Sequence, residues 1–183
     1  MIISKKHNLH TLSTPIMLGV MASCKYIIKK PADCLLAELF HFYLLLKKGN
    51  KVSTKDLSQK IHNCEFLAFC YLENRLVGIS AIKRPAKSYI EEVHRKAGVW
   101  RNIEEYIFEV GYSFTEDDVR RLGISGTLKQ MLQEKIIHHH GMVFSTTAVQ
   151  TSQRFLKSQG FVACGNPYQG KYDDNIIYFE KRI

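Results

Sequence analysis

The residues with the most chemistry to offer lie together at Arg120-Arg121-Leu122-Gly123-Ile124-Ser125-Gly126-Thr127. They follow an apolar run, Tyr106 to Phe114, and open a second run with helical spacing. A helix entered through a glycine turn leaves its first backbone N–H groups without intrahelical partners, and its dipole adds partial positive charge there. Phosphate oxygens fit such a turn. Gly123 and Gly126 carry no Cβ and let the main chain approach a ligand, Arg120 and Arg121 add donors, and Ser125 adds a hydroxyl. The segment predicts a site for a polyanion.

Glu109 is the second candidate, a carboxylate inside the apolar run that can take a proton directly or through a water; an exposed position or half of a structural ion pair competes with that role. Tyr168 and Tyr172 are hydroxyl donors or packing residues, and Asn166 to Gly170 around the first of them reads as a turn. His138-His139-His140 predicts a polar helix end, because consecutive helical residues diverge and do not converge on one ion. The sequence has no H-E-x-x-H and no G-x-x-x-x-G-K-[ST], and nothing places a histidine beside Ser125 or Ser145, so neither a metal site nor a triad is predicted. Five cysteines with no C-x-x-C pair predict reduced, structural thiols and a cytoplasmic location.

Arg120-x-x-Gly123-x-Ser125 resembles the Q/R-x-x-G-x-G/A pyrophosphate signature of the GCN5-related N-acetyltransferase (GNAT) superfamily. Glu109-Val-Gly-Tyr112 is similar to the strand before that signature, and Phe155-Leu156-Lys157-Ser158-Gln159-Gly160-Phe161 to the family's late helix with its terminal Gly-Phe. Together these resemblances cover roughly the C-terminal half of the chain. They imply an α/β fold of three layers, α/β/α, with a mixed, mostly antiparallel central sheet. They also imply an acetyl-CoA-dependent N-acetyltransferase acting on a primary amine by direct attack on the thioester. The donor-binding residues implied are Ser113, Phe114, Thr115, Arg120, Arg121, Leu122, Gly123, Ile124, Ser125, Gly126, Thr127, Ser152 and Phe155; strand N–H groups near Tyr112 to Phe114 would stabilise an oxyanion. Two positions depart from the pattern. Ser125 replaces a Gly or Ala, a mild change, and Leu156 stands where the family often carries an acid-donating tyrosine. Glu109 as base and Tyr168 as substitute hydroxyl are the catalytic candidates, and a noncatalytic acyl-CoA-binding or interaction module is the alternative.

Several elements must position these groups. A first strand is predicted near Lys25 to Lys29, and Pro31 to Gly49 reads as a helix, apolar nearly throughout and therefore buried. Ser53 to His62 reads as a shorter helix capped by Ser53 or Thr54; the loop between these helices, residues 49–52, corresponds to one that shapes the acceptor site in the resembling family. Glu65 to Leu72 and Leu76 to Lys83 predict a hairpin, and Pro85 to Ala97 an inserted helix. Ile124 to His140 is predicted to bury Leu128, Met131, Leu132, Ile136 and Ile137. Strands at Met142 to Ser145, Phe161 to Cys164 and Asn175 to Glu180, with a helix over Thr151 to Gln159, complete the sheet.

The length suits one compact domain, and 45% hydrophobic with 11% aromatic residues excludes a disordered composition. A net charge of +9 favours anionic partners, of which CoA is one; the lysine and arginine pairs are scattered rather than gathered into a nucleic-acid-binding arm. The acceptor stays open among a small molecule, a protein amine and an aminoacyl-tRNA, and a homodimer is left open. Met21-Ala-Ser-Cys24 resembles a lipoprotein cleavage site, but Thr11, Ser13, Thr14 and Pro15 interrupt the apolar stretch before it. No apolar run approaches the roughly 20 residues needed to span a membrane.

Overall fold

A computed structural model describes residues 23–183, so the expectations for the first 22 residues, including most of the lipoprotein-like stretch, lie outside the described residues. Seven strands, β1 (Cys24–Lys29), β2 (Phe66–Leu72), β3 (Arg75–Lys83), β4 (Tyr106–Thr115), β5 (Met142–Thr147), β6 (Val162–Tyr168) and β7 (Ile176–Arg182), form one sheet in the order β1-β2-β3-β4-β5-β7-β6. Every pairing is antiparallel except β4 with β5.

The two faces follow from side-chain alternation along each strand. On β2, Leu67 and Phe69 pack under α1 (Leu36–Lys48) and α2 (Leu57–His62), whereas Ala68 and Cys70 face the opposite core with Leu128 and Leu132 of α4 (Ile124–Ile136). On β5 and β7, Phe144 and Tyr178 meet α3 (Lys87–Ala97), while Val143 and Phe179 join the α4 core, to which α5 (Gln150–Ser158) adds Leu156. Helices α1 to α3 thus cover one face and α4 and α5 the other, the three-layer α/β/α arrangement with a mixed, mostly antiparallel sheet.

Local details correct several expectations. The first helix is split: Pro31–Asp33 is a 3-10 turn and α1 begins at Leu36. Nor is α1 buried throughout. Leu39, Phe42, Leu45 and Leu46 face the sheet, but Leu36 is 83% and Phe40 58% exposed, because a single helix laid on a sheet contacts it along one stripe. α2 starts late, after Asp56 in the left-handed region (φ 53°), and neither Ser53 nor Thr54 is its N-cap. α4 ends at Ile136, leaving Ile137 and the three histidines exposed in the turn that follows.

The segment around Pro167 is strand, not turn. Val162–Tyr168 continues through it as β6, with a register break between Cys164 and Tyr168. Proline is tolerated there because β6 is an edge strand and the break falls where the missing N–H would have paired.

Candidate active site

The sheet opens at β4. Parallel pairing runs Tyr106↔Met142, Phe108↔Val143 and Glu109↔Phe144 and then stops, while β5 continues against β7 as far as Thr147↔Ile177. From Val110 on one strand and Ser145 on the other, the two edges part. The Ser145 hydroxyl donates to the Val110 carbonyl (2.8 Å) where they separate.

A bulge lies beside the opening. Ile79 pairs with Phe114 and Ala81 with Gly111, so Tyr112 and Ser113 together oppose Ser80. Tyr112 sits at φ 50°, a conformation a bulky residue adopts only when its surroundings enforce it. Ser80 supplies part of that enforcement: its Oγ lies 2.8 Å from Ser113 Oγ and 3.3 Å from the Gly111 carbonyl.

Beyond Thr115 the chain turns through a 3-10 segment, Asp117–Val119, and enters α4 with Gly123 as N-cap at φ 76°. Arg121 is also left-handed, at φ 71°. Ile124 is buried over Gly78, where an added Cβ would lie 2.6 Å from the isoleucine, and Gly78 pairs with Thr115. The start of α4 is thereby fixed at the end of β4. The acidic loop before it is neutralised residue by residue: Glu116 by Lys48 (2.7 Å), Asp117 by Arg120 (2.6 Å) and Asp118 by Arg75 (2.5 Å). Arg121 forms no ion pair among the described residues.

The sequence-predicted donor residues divide by what remains free. Gly123 is open, with nothing within 4 Å of a Cβ built on it, and Leu122 is exposed. Ile124 and Phe114 spend their side chains on packing, the latter against Gly49 at the end of α1, so only their main chains remain available. Thr127 Oγ1 donates to the Gly123 carbonyl (3.3 Å) within its own helix. Thr115 Oγ1 is buried with no hydrogen-bond partner among the described residues. Gly126 faces the Phe155 ring on α5, and Ser152 Oγ accepts from Lys129 Nζ (3.1 Å).

On the α1–α3 side, Glu109 is 4% exposed and forms an ion pair with Lys83 of β3. The ammonium lies 4.6 Å from the centre of the Tyr112 ring and 5.3 Å from that of Tyr89 on α3, and the Tyr89 hydroxyl is 3.5 Å from Glu109 Oε1. The Glu109 carboxylate, followed by burial, holds the Tyr89 phenol well above its usual range. Burial, with Glu109 nearby, pushes Tyr168 up to about 12; Thr146 of β5 sits against both phenols. Burial likewise pushes the neighbouring Cys64 thiol up to about 12, which keeps it protonated and inert. The structure therefore brings Glu109 and Tyr168 together, whereas Tyr172 lies on the surface. Lys83, Tyr89 and Thr146 were not predicted, since a lysine ending a strand or a tyrosine on a helix carries no local sign of a site.

No protein-family model matches the sequence, and no curated protein matches it. Solved structures do. The chain is similar to an acyl-CoA N-acyltransferase from Pseudomonas aeruginosa, with TM-score 0.64 and 14% identity over 87% of this chain and 99% of that one. The fold is that of the GNAT acyltransferases. ElaA from Escherichia coli aligns with TM-score 0.66 and 13% identity over 87% of this chain and 100% of its own. The yncA structure from Salmonella typhimurium with its cofactor acetyl-CoA aligns with TM-score 0.56 and 10% identity over 87% and 93%. Within this GNAT fold, Arg120-x-x-Gly123-x-Ser125 falls at the start of α4 and Glu109 at the last paired residue before the opening. Leu156, the departure in the late helix, is buried in the α4 core and offers no proton.

Proposed function

We propose that this chain is an acyl-CoA-dependent N-acyltransferase that moves an acetyl group from acetyl-CoA to a primary amine. One observation carries the reading: β4 parts from β5 immediately after Glu109, and the glycine-capped start of α4 stands at the end of that same strand. The main-chain N–H groups at Gly123 to Gly126, with Arg120 and Arg121, suit the donor's pyrophosphate.

When bound, acetyl-CoA supplies a thioester whose thiol, with an ordinary pKa of about 8.5, leaves as a thiolate without a strong acid. The heavier demand falls on the acceptor, since an alkyl amine of pKa about 10.4 is almost wholly protonated at neutral pH. We assign Glu109 to take that proton. Its carboxylate is ion-paired with the Lys83 ammonium between two aromatic faces, so the acceptor amine must compete with Lys83 for it. Tyr168 contributes differently. Burial pushes its phenol up to about 12, so it stays protonated at neutral pH and can donate a hydrogen bond. Small-molecule, protein and aminoacyl-tRNA amines all meet this chemistry.

The first experiment is thermal denaturation with acetyl-CoA, desulfo-CoA and ATP. Ligand at about 100 times its dissociation constant adds about 2.7 kcal/mol, a shift of several degrees. A shift with both CoA forms and little with ATP is expected; none at saturating acetyl-CoA removes the reading. The buried Leu156 and the occupied Glu109 favour one competitor, a noncatalytic acyl-CoA-binding module. Acetyl-CoA binding with no CoA release across a panel of primary amines would establish it.

A further inference from the structure

Lys129 is a buried cation with no anionic partner among the described residues. It stands on α4 one turn after Gly126, and only 6% of its surface is exposed. Its ammonium points into the seam between α4 and α5, where it donates to Ser152 Oγ (3.1 Å) and lies 5.8 Å from the centre of the Phe155 ring. Gly126 faces that same ring from the first turn of α4. No ion pair involves Lys129 among the described residues, in contrast to the buried carboxylates Glu65, Glu109 and Glu180, each of which has a basic partner. The charged groups on the surrounding elements are turned away: Glu134 accepts from Gln130, Arg154 and Lys157 are exposed, and Glu109 is held by Lys83. Burial is the sole cause that lowers this ammonium to about 8.

An ammonium has three donors, and among the described residues one hydroxyl and one ring face meet it. Leaving such a charge buried is costly, and an apolar residue of similar volume would fill the seam at less expense. The arrangement makes physical sense if an anion completes it, and the Phe155 ring that the ammonium faces also faces Gly126 in the first turn of α4.

We propose that Lys129 binds the pyrophosphate of the acyl donor from below, completing from the second turn of α4 the site whose upper side is the Gly123 to Gly126 main chain. The inference rests on the donor reading above. It deepens that reading by assigning a ligand to a residue outside the recognised motif, and it accounts for a buried charge that the fold does not need.

Calorimetric titration tests it without reference to turnover. Lys129→Met is expected to bind acetyl-CoA and dephospho-CoA roughly 10- to 100-fold more weakly, the range for one lost charge-assisted hydrogen bond. Binding of uncharged pantetheine should be unchanged. The ligand-free variant should melt no lower than the wild type, because a thioether chain replaces an unpaired charge. A Lys129→Met protein that binds acetyl-CoA as well as the wild type overturns the assignment and leaves the donor reading standing. Equal losses for acetyl-CoA and pantetheine also overturn it, since the residue would then only pack. Wild-type protein that binds no acetyl-CoA removes the donor reading itself.

Discussion

On the α4 side of the opening, Lys129 apart, the groups suited to a ligand come from eight consecutive residues, Arg120 to Thr127, and most are main-chain N–H groups. On the α3 side, Lys83, Tyr89, Glu109, Tyr112, Thr146 and Tyr168 come from five elements, and every useful atom belongs to a side chain. The first site depends on local backbone conformation and is exposed; the second depends on packing and on a buried charge pair. One is therefore vulnerable at a single glycine, whereas the other is coupled, so that changing one member alters the state of its neighbours.

Gly123→Glu should break the contrast on the donor side with the largest effect. A Cβ at Gly123 meets no atom, so the fold tolerates the residue at about 1–2 kcal/mol for its left-handed backbone. A carboxylate at the helix N-terminus nevertheless repels phosphate, and titration should show donor affinity falling more than about 100-fold. Retained affinity in a folded variant would refute the loop assignment.

Glu109→Gln probes the opposite side. Turnover should fall by about 10² to 10⁴ with donor affinity unchanged, the range expected for a lost general base. Equal turnover would reduce Glu109 to the structural partner of Lys83.

Lys83→Met sharpens the coupling rather than the chemistry. It leaves the Glu109 carboxylate buried without its cation, which should cost about 3 kcal/mol in urea denaturation. A variant as stable as the wild type would mean that the buried carboxylate does not depend on Lys83.

Tyr168→Phe should have the smallest effect, a loss in turnover of no more than about tenfold with donor affinity intact, because one hydrogen bond is removed and no proton source. A hundredfold loss would make the phenol the acid that Leu156 cannot be.

The same contrast explains what could be read in advance. The strand, loop and helix around Gly123 were legible because glycine, capping geometry and apolar spacing act over a few residues. Errors arose where burial decided. The apolar residues of α1 were expected inside, but Leu36 and Phe40 point away from the sheet; Pro167 read as a turn, yet it sits in an edge strand where a missing N–H is harmless. Lys129 escaped notice because lysine at a helical position signals solvent until the facing helix is placed.

The sequence by itself determined the glycine turn that opens α4, its order after the Glu109 strand, and the absence of a tyrosine at position 156, since each is a matter of residue identity and short-range backbone physics. Only the tertiary structure decided that β4 and β5 part after Glu109, that Lys83 and three tyrosines gather around its carboxylate, and that Lys129 is enclosed with no anion among the described residues. Those facts depend on which strands are neighbours and which helix faces which, relations between residues as much as 85 apart in the chain, from Lys83 to Tyr168, that no local pattern encodes.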